Sequence, residues 1–172
     1  MKTFIITVAL TVAAAVPASA QKINLDFPEL AARAAETVDV TLDGSMLQLA
    51  SGFLSKEDAD DRALRDTVAR LEGIYVRSYS FDKDNQYDLR VVDRVRAQMG
   101  AGWKKIVNVQ KRDEKIEIYA LPRGNAFGGL LVISAEPREL TVVNIVGPIN
   151  LDQLSSLGGS FGVPRVGQGE KK

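Results

Sequence analysis

Residues 103–146 constrain the fold more than any other stretch of the chain. Four apolar-rich segments follow one another there, at 103–110, 115–121, 127–135 and 140–146. They are separated only by Arg112-Asp113, by Pro122-Arg123-Gly124-Asn125 and by Glu136-Pro137-Arg138. Connections that short join antiparallel neighbours, because parallel strands need a crossover of about a dozen residues. The four segments therefore predict a β-meander. In the second of them Ile116 and Ile118 are expected to point inward and Glu117 and Tyr119 outward. The third, the most apolar, is expected to be central. Gly128-Gly129 lacks the strand-to-helix setting of a phosphate loop and reads as a bulge or strand edge.

Upstream, helical and strand patterns alternate. Asp26 is placed to cap a short helix with Pro28 in its first turn and Leu30, Ala31 and Ala34 on its apolar side. Val38, Val40 and Leu42 alternate with Asp39 and Thr41, the pattern of a half-buried strand over 37–43. Asp43-Gly44 marks a turn, and Ser45 is the expected cap of a helix over 46–53. Ser55 and Asp58 resemble a capping box for a helix over 56–71, with Leu64, Val68 and Leu71 on one side. Residues 73–81 read as a strand, then 86–99 as a helix. Leu89, Val92, Val95 and Met99 are its expected buried stripe, with Val91 at the margin and Arg90, Asp93, Arg94 and Arg96 in water. Gly147-Pro148 is expected to end the last strand, with Asn150 capping a helix over 151–157. Mixed elements followed by hairpins give an α+β class: a mainly antiparallel sheet of about six strands with helices on one face, ending in a four-strand meander.

The chain has 172 residues, no cysteine and no histidine. Zinc sites built on Cys and His, thiol nucleophiles and Ser-His-Asp triads are therefore excluded. A base near neutral pH would have to be a shifted carboxylate or lysine. Formal charge is +0, with no basic excess for nucleic acid and no long polybasic segment for anionic lipid. Met1-Lys2, the apolar run 3–16 and Pro17-Ala18-Ser19-Ala20 form the pattern of a cleaved secretory signal peptide. The apolar run falls short of the ~20 residues a spanning helix needs. The expected organisation is a signal peptide at 1–20, one globular domain at 21–157 and a Gly-rich polar tail at 158–172. The expected location is the periplasm or the exterior, in soluble form, with no lipid-bearing cysteine and no stable membrane anchor.

The closing stretch Leu140-Thr-Val-Val-Asn-Ile-Val-Gly-Pro-Ile-Asn-Leu-Asp-Gln-Leu-Ser-Ser-Leu157 resembles the end of the domain-of-unknown-function 4252 family, whose members commonly close with V-x-I-x-G-x-I-D-L-x-x-L. Asn150 stands where that pattern has Asp. Gly73-Ile-Tyr-Val-Arg-Ser-Tyr-Ser-Phe81 and Trp103-Lys-Lys-Ile-Val107 are similar to family segments too, so the resemblance covers roughly residues 27–157. It implies an exported bacterial protein with no assigned activity and supplies no catalytic residues. It also implies an accessory role in envelope signalling, since such genes are often found near extracytoplasmic sigma-factor systems. Many relatives look like lipoproteins, which this chain does not.

Candidate sites are few. Tyr75, Arg77, Tyr79 and Phe81 share one strand face. If that face is wet, they form a protein-binding or stacking platform; if helices cover it, they are core. Asp82, Asp84 and Asp88 alternate like cation ligands, but Gln86 and Tyr87 break the calcium-loop pattern, and helix capping is the simpler reading. Glu57, Asp58, Asp60 and Asp61 make an acidic helix start beside Arg62 and Arg65. Trp103, Lys104 and Lys105 are either a ligand rim or, more simply, a strand start with Trp103 on the face of Val107 and Val109. No cofactor and no metal are expected. The function expected is a non-catalytic exported domain that binds a protein or envelope component. One alternative is a small hydrolase using two of Asp58, Asp82 and Asp88 on a glycan or peptide. Another is a lipid- or membrane-surface-binding protein, which would need an apolar cavity or an exposed apolar helix face.

Overall fold

The computed structural model describes residues 22–53 and 59–149. Six strands form one sheet: β1 (Glu36–Asp43), β2 (Gly73–Ser80), β3 (Lys104–Gln110), β4 (Lys115–Arg123), β5 (Ala126–Ala135) and β6 (Glu139–Ile149). Their order is β1-β2-β6-β5-β4-β3, and every neighbouring pair is antiparallel. The α+β class and the closing meander are as the sequence predicts. The helices are α1 (Pro28–Ala31), α2 (Gly44–Gly52), α3 (Ala59–Val68) and α4 (Arg90–Ala97).

The helices divide between the faces rather than sharing one. Ile23, Leu25, Phe27 and Leu30, with Val91, Val92 and Val95 of α4, pack on Tyr79, Leu131, Ile133, Leu140 and Val142. Leu47 of α2, with Val68 and Leu71, packs on Leu42, Ile74, Ile145, Leu130 and Ala120. The cause lies in β2 and its neighbours. Tyr75, Tyr79 and Phe81 are apolar on one side, Ile74 and Val76 on the other, so both sides need cover. Buried Asn144 ties the N-terminal segment to the first face: its Oδ1 accepts from the Ile23 amide at 3.0 Å and its Nδ2 donates to the Leu130 carbonyl at 3.2 Å.

Several local expectations change. Asp43 rather than Ser45 caps α2, accepting from the Met46 amide at 3.0 Å and the Ser45 hydroxyl at 2.6 Å. Asp26 does not cap α1, which has no side-chain cap. α4 begins at Arg90, not Gln86, because Asn85 takes a left-handed turn with φ 58° and Tyr87 is buried against Phe81. Leu89 therefore lies before the helix and is exposed, while Val91 joins Val92 and Val95 in the core. β6 runs through Gly147-Pro148 to Ile149. Gly147 sits at φ 125°, where a Cβ would lie 2.8 Å from the Glu72 nitrogen, so glycine lets the strand pass close under the end of the α3 segment. A bulge between Lys105 and Val107 reverses the facing of β3. Trp103 therefore packs with the α4 cluster, and Val107 and Val109 lie on the opposite face from it. The register also shifts at Phe127/Gly129, the bulge expected at the glycine pair, and the Trp103 ring lies against Gly129. The capping box at 55–58, the helix at 151–157 and the tail lie outside the described residues.

Candidate functional site

The aromatic face of β2 is the covered one. Tyr79 is 1% exposed, and its hydroxyl donates to the Leu25 carbonyl at 3.1 Å while accepting from the Phe27 amide at 3.2 Å. Phe81 is stacked on Tyr87 with ring centroids 5.3 Å apart. The Tyr87 hydroxyl lies 2.5 Å from the Glu136 carbonyl and 3.1 Å from that of Glu139, and burial pushes its pKa up to about 12. Tyr75 is half-buried with the Lys22 ammonium 4.3 Å from its ring centre. Arg77 pairs with Asp39 at 2.5 Å and donates to the Val40 carbonyl at 3.2 Å. Tyr79 and Phe81 are thus core, and the platform of Tyr75, Arg77, Tyr79 and Phe81 is corrected to a packed layer. Its cover is the segment around Ile23, Leu25 and Phe27, whose tie to Tyr79 sequence spacing does not reveal.

The acidic candidates diverge. Asp84 pairs with Arg138, and Asp88 pairs with Arg90 and accepts its backbone amide at 2.8 Å. Asp88 is the residue that satisfies the start of α4. Asp82 is exposed. Among the described residues no group of three or more carboxylates is placed to hold a metal ion. Glu57 and Asp58 lie outside the described residues.

Glu117, which strand alternation predicts to point outward, is buried. It faces α4, not solvent, and is 2% exposed. Lys105 donates to it at 2.7 Å, Arg96 at 2.8 and 2.6 Å, and the Tyr119 hydroxyl at 3.2 Å. Arg96, expected in water, reaches across to make this contact. Burial alone would raise the Glu117 pKa, but the hydrogen bonds from Lys105 and Arg96 outweigh it and hold the carboxyl at about 2. A carboxylate so held neither donates nor takes a proton near neutral pH. The cleft beside it, lined by Leu89, Val92, Arg96, Lys115, Glu117 and Ile133, is about 200 Å³. Small-molecule pockets run to roughly 300–1,000 Å³. The cluster anchors α4 to β3 and β4.

Among the described residues, exposed large apolar side chains group on α2 and its C-cap. Leu47 and Ser51 face the sheet and are buried. Met46, Leu49 and Phe53, at i, i+3 and i+7, lie on one outer stripe and are 52%, 70% and 91% exposed. No charged residue occurs between Gly44 and Ser55. The signal for this stripe is in the sequence: a short helix with apolar residues on both sides cannot bury both against one sheet.

A family model for a domain of unknown function, DUF4252, matches residues 32–157. The chain belongs to the DUF4252 family. The match ends where the resemblance of the closing segment ends, and starts after Ile23, Leu25, Phe27 and Leu30, which nevertheless complete the core. Comparison with curated proteins and with solved structures gave no match. Membership in DUF4252 carries no activity to this chain.

Proposed function

We propose that this DUF4252 domain is an exported, non-catalytic binding module that contacts a protein or envelope component through the outer stripe of α2. The supporting observation is the grouping of Met46, Leu49 and Phe53 on the outer side of α2 and its C-cap, within a stretch that carries no charge. Single exposed apolar side chains are ordinary; a contiguous group of large ones marks a contact surface. The signal-like first twenty residues support export, and an accessory role in envelope signalling suits a domain that works by contact.

The test is capture from envelope extract by the mature chain and by a Leu49→Asp/Phe53→Asp variant, with thermal melts as the folding control. A species retained by the wild type and lost by the folded variant supports the reading. Identical capture by both overturns it. A second reading, adsorption to a membrane surface, is favoured by the exposed apolar side chains of Met46, Leu49 and Phe53 on one side of α2. It predicts flotation with zwitterionic vesicles that the same double variant abolishes.

A further inference from the structure

Residues 22–27 belong to no helix or strand, yet they close the core. Ile23, Leu25 and Phe27 alternate inward and are buried. Side chains hold the backbone of this strap. The Ile23 amide donates to Asn144 Oδ1 at 3.0 Å. The Asn24 amide donates to Gln98 Oε1 at 2.8 Å, and Gln98 Nε2 donates back to the Asn24 carbonyl at 2.9 Å. The Tyr79 hydroxyl holds the Leu25 carbonyl and the Phe27 amide. Asn144 is wholly buried, and a buried amide is costly without a partner, so this face of the sheet is built to receive an extended backbone. No ladder joins strap to sheet, so the strap can open while the sheet stays whole.

We infer that the strap gates removal of the leader: once docked it shields the expected cleavage site between Ala20 and Gln21, so processing must precede closure of the core. The inference rests on the export reading above. The step itself is hydrolysis of the Ala20–Gln21 amide by water, leaving a carboxylate on the leader and an amine on Gln21. Covalent geometry puts the site close to the sheet. Two residues at ~3.6 Å each place Gln21 within about 7 Å of Ile23, whose amide is taken and whose side chain is buried. Lys22 between them is exposed, but its ammonium sits 4.3 Å from the centre of the Tyr75 ring. A protease needs a free, extended chain on both sides of the bond it cuts. The small residues Ala18 and Ala20 meet that need on the leader side. On the other side the docked strap removes it. Cleavage of a closed chain then proceeds only through its open fraction. Folding that runs ahead of processing leaves the apolar run 3–16 attached to the domain.

Two substrates carrying the same site test it, each given a bacterial signal peptidase in detergent, with cleavage mapped by intact mass. One is the refolded precursor, residues 1–172; the other is a peptide of residues 1–31, which has the strap but no sheet to dock on. Both should be cut before Gln21, the refolded precursor ~100-fold more slowly. Gln98→Ala frees both backbone groups of Asn24, and Tyr79→Phe frees those of Leu25 and Phe27. Each variant, shown by thermal melting to be folded, should be cut about 5-fold or more faster than the refolded wild type. Equal rates on precursor and peptide overturn the inference and leave the export reading standing. So does a refolded precursor that neither substitution makes easier to cut. A peptide that is not cut before Gln21 fails the export reading, and the inference falls with it.

Discussion

Replacing Glu117 with glutamine should alter how the stability of the domain depends on pH, as well as its size. The carboxyl is buried, receives hydrogen bonds from Arg96, Lys105 and Tyr119, and lies 3.5 Å from the Lys115 ammonium. Its folded pKa is about 2 against an ordinary value of 4.5. A depressed folded pKa gives stability that is fully present above about 4.5 and is lost as pH falls through about 2. The gap between those values, at about 1.4 kcal/mol per pH unit, corresponds to roughly 3 kcal/mol. Breaking a buried ion pair by removing one partner costs about 3–5 kcal/mol. Arg96 and Lys105 are partly exposed and regain water once released, which places Glu117→Gln at the lower end. Urea unfolding of wild type and variant, followed by far-UV circular dichroism from about pH 6 to about pH 2, measures the difference directly. The other carboxylates titrate in both proteins and cancel. The wild type should be more stable by about 3 kcal/mol at the upper end, with the advantage shrinking toward pH 2. A difference that stays constant across the range refutes the reasoning, because the charge of Glu117 would then contribute nothing.

Three further substitutions probe the frame. Tyr79→Phe removes the hydroxyl between Leu25 and Phe27 and should cost about 1–2 kcal/mol in denaturant unfolding. Gly147→Ala sets a Cβ 2.8 Å from the Glu72 nitrogen at a φ of 125° and should cost about 2 kcal/mol or more, read as a lower Tm. Asp43→Ala deletes the cap of α2 and should cost about 1 kcal/mol, with faster amide exchange at Met46.

The meander is legible in the sequence because its turns are short and its strands alternate, and local rules decide both. The faces are less legible, because long-range partners decide them. Glu117 reads as a wet residue until Arg96 and Lys105, distant in sequence, are known to neutralise it. Trp103 and Val107 read as one face until Ile106 is seen to sit in a bulge that reverses the alternation. Leu89 reads as core until the left-handed turn at Asn85 delays α4. Tyr79 and Phe81 read equally as platform or core, and the choice depends on a strap from Ile23 to Phe27 that has no pairing signal of its own. The α2 stripe is legible in the sequence, since Met46, Leu49 and Phe53 have helical spacing in a stretch without charge.

A photo-crosslinking residue placed at Phe53 tests most directly whether α2 meets a partner in the cell. The expected result is a discrete protein adduct at Phe53 that Leu49→Asp removes, with no adduct from the same residue placed at exposed Lys111 on the opposite edge. Adducts of equal yield at both positions, or none at Phe53, would contradict a binding role for the stripe.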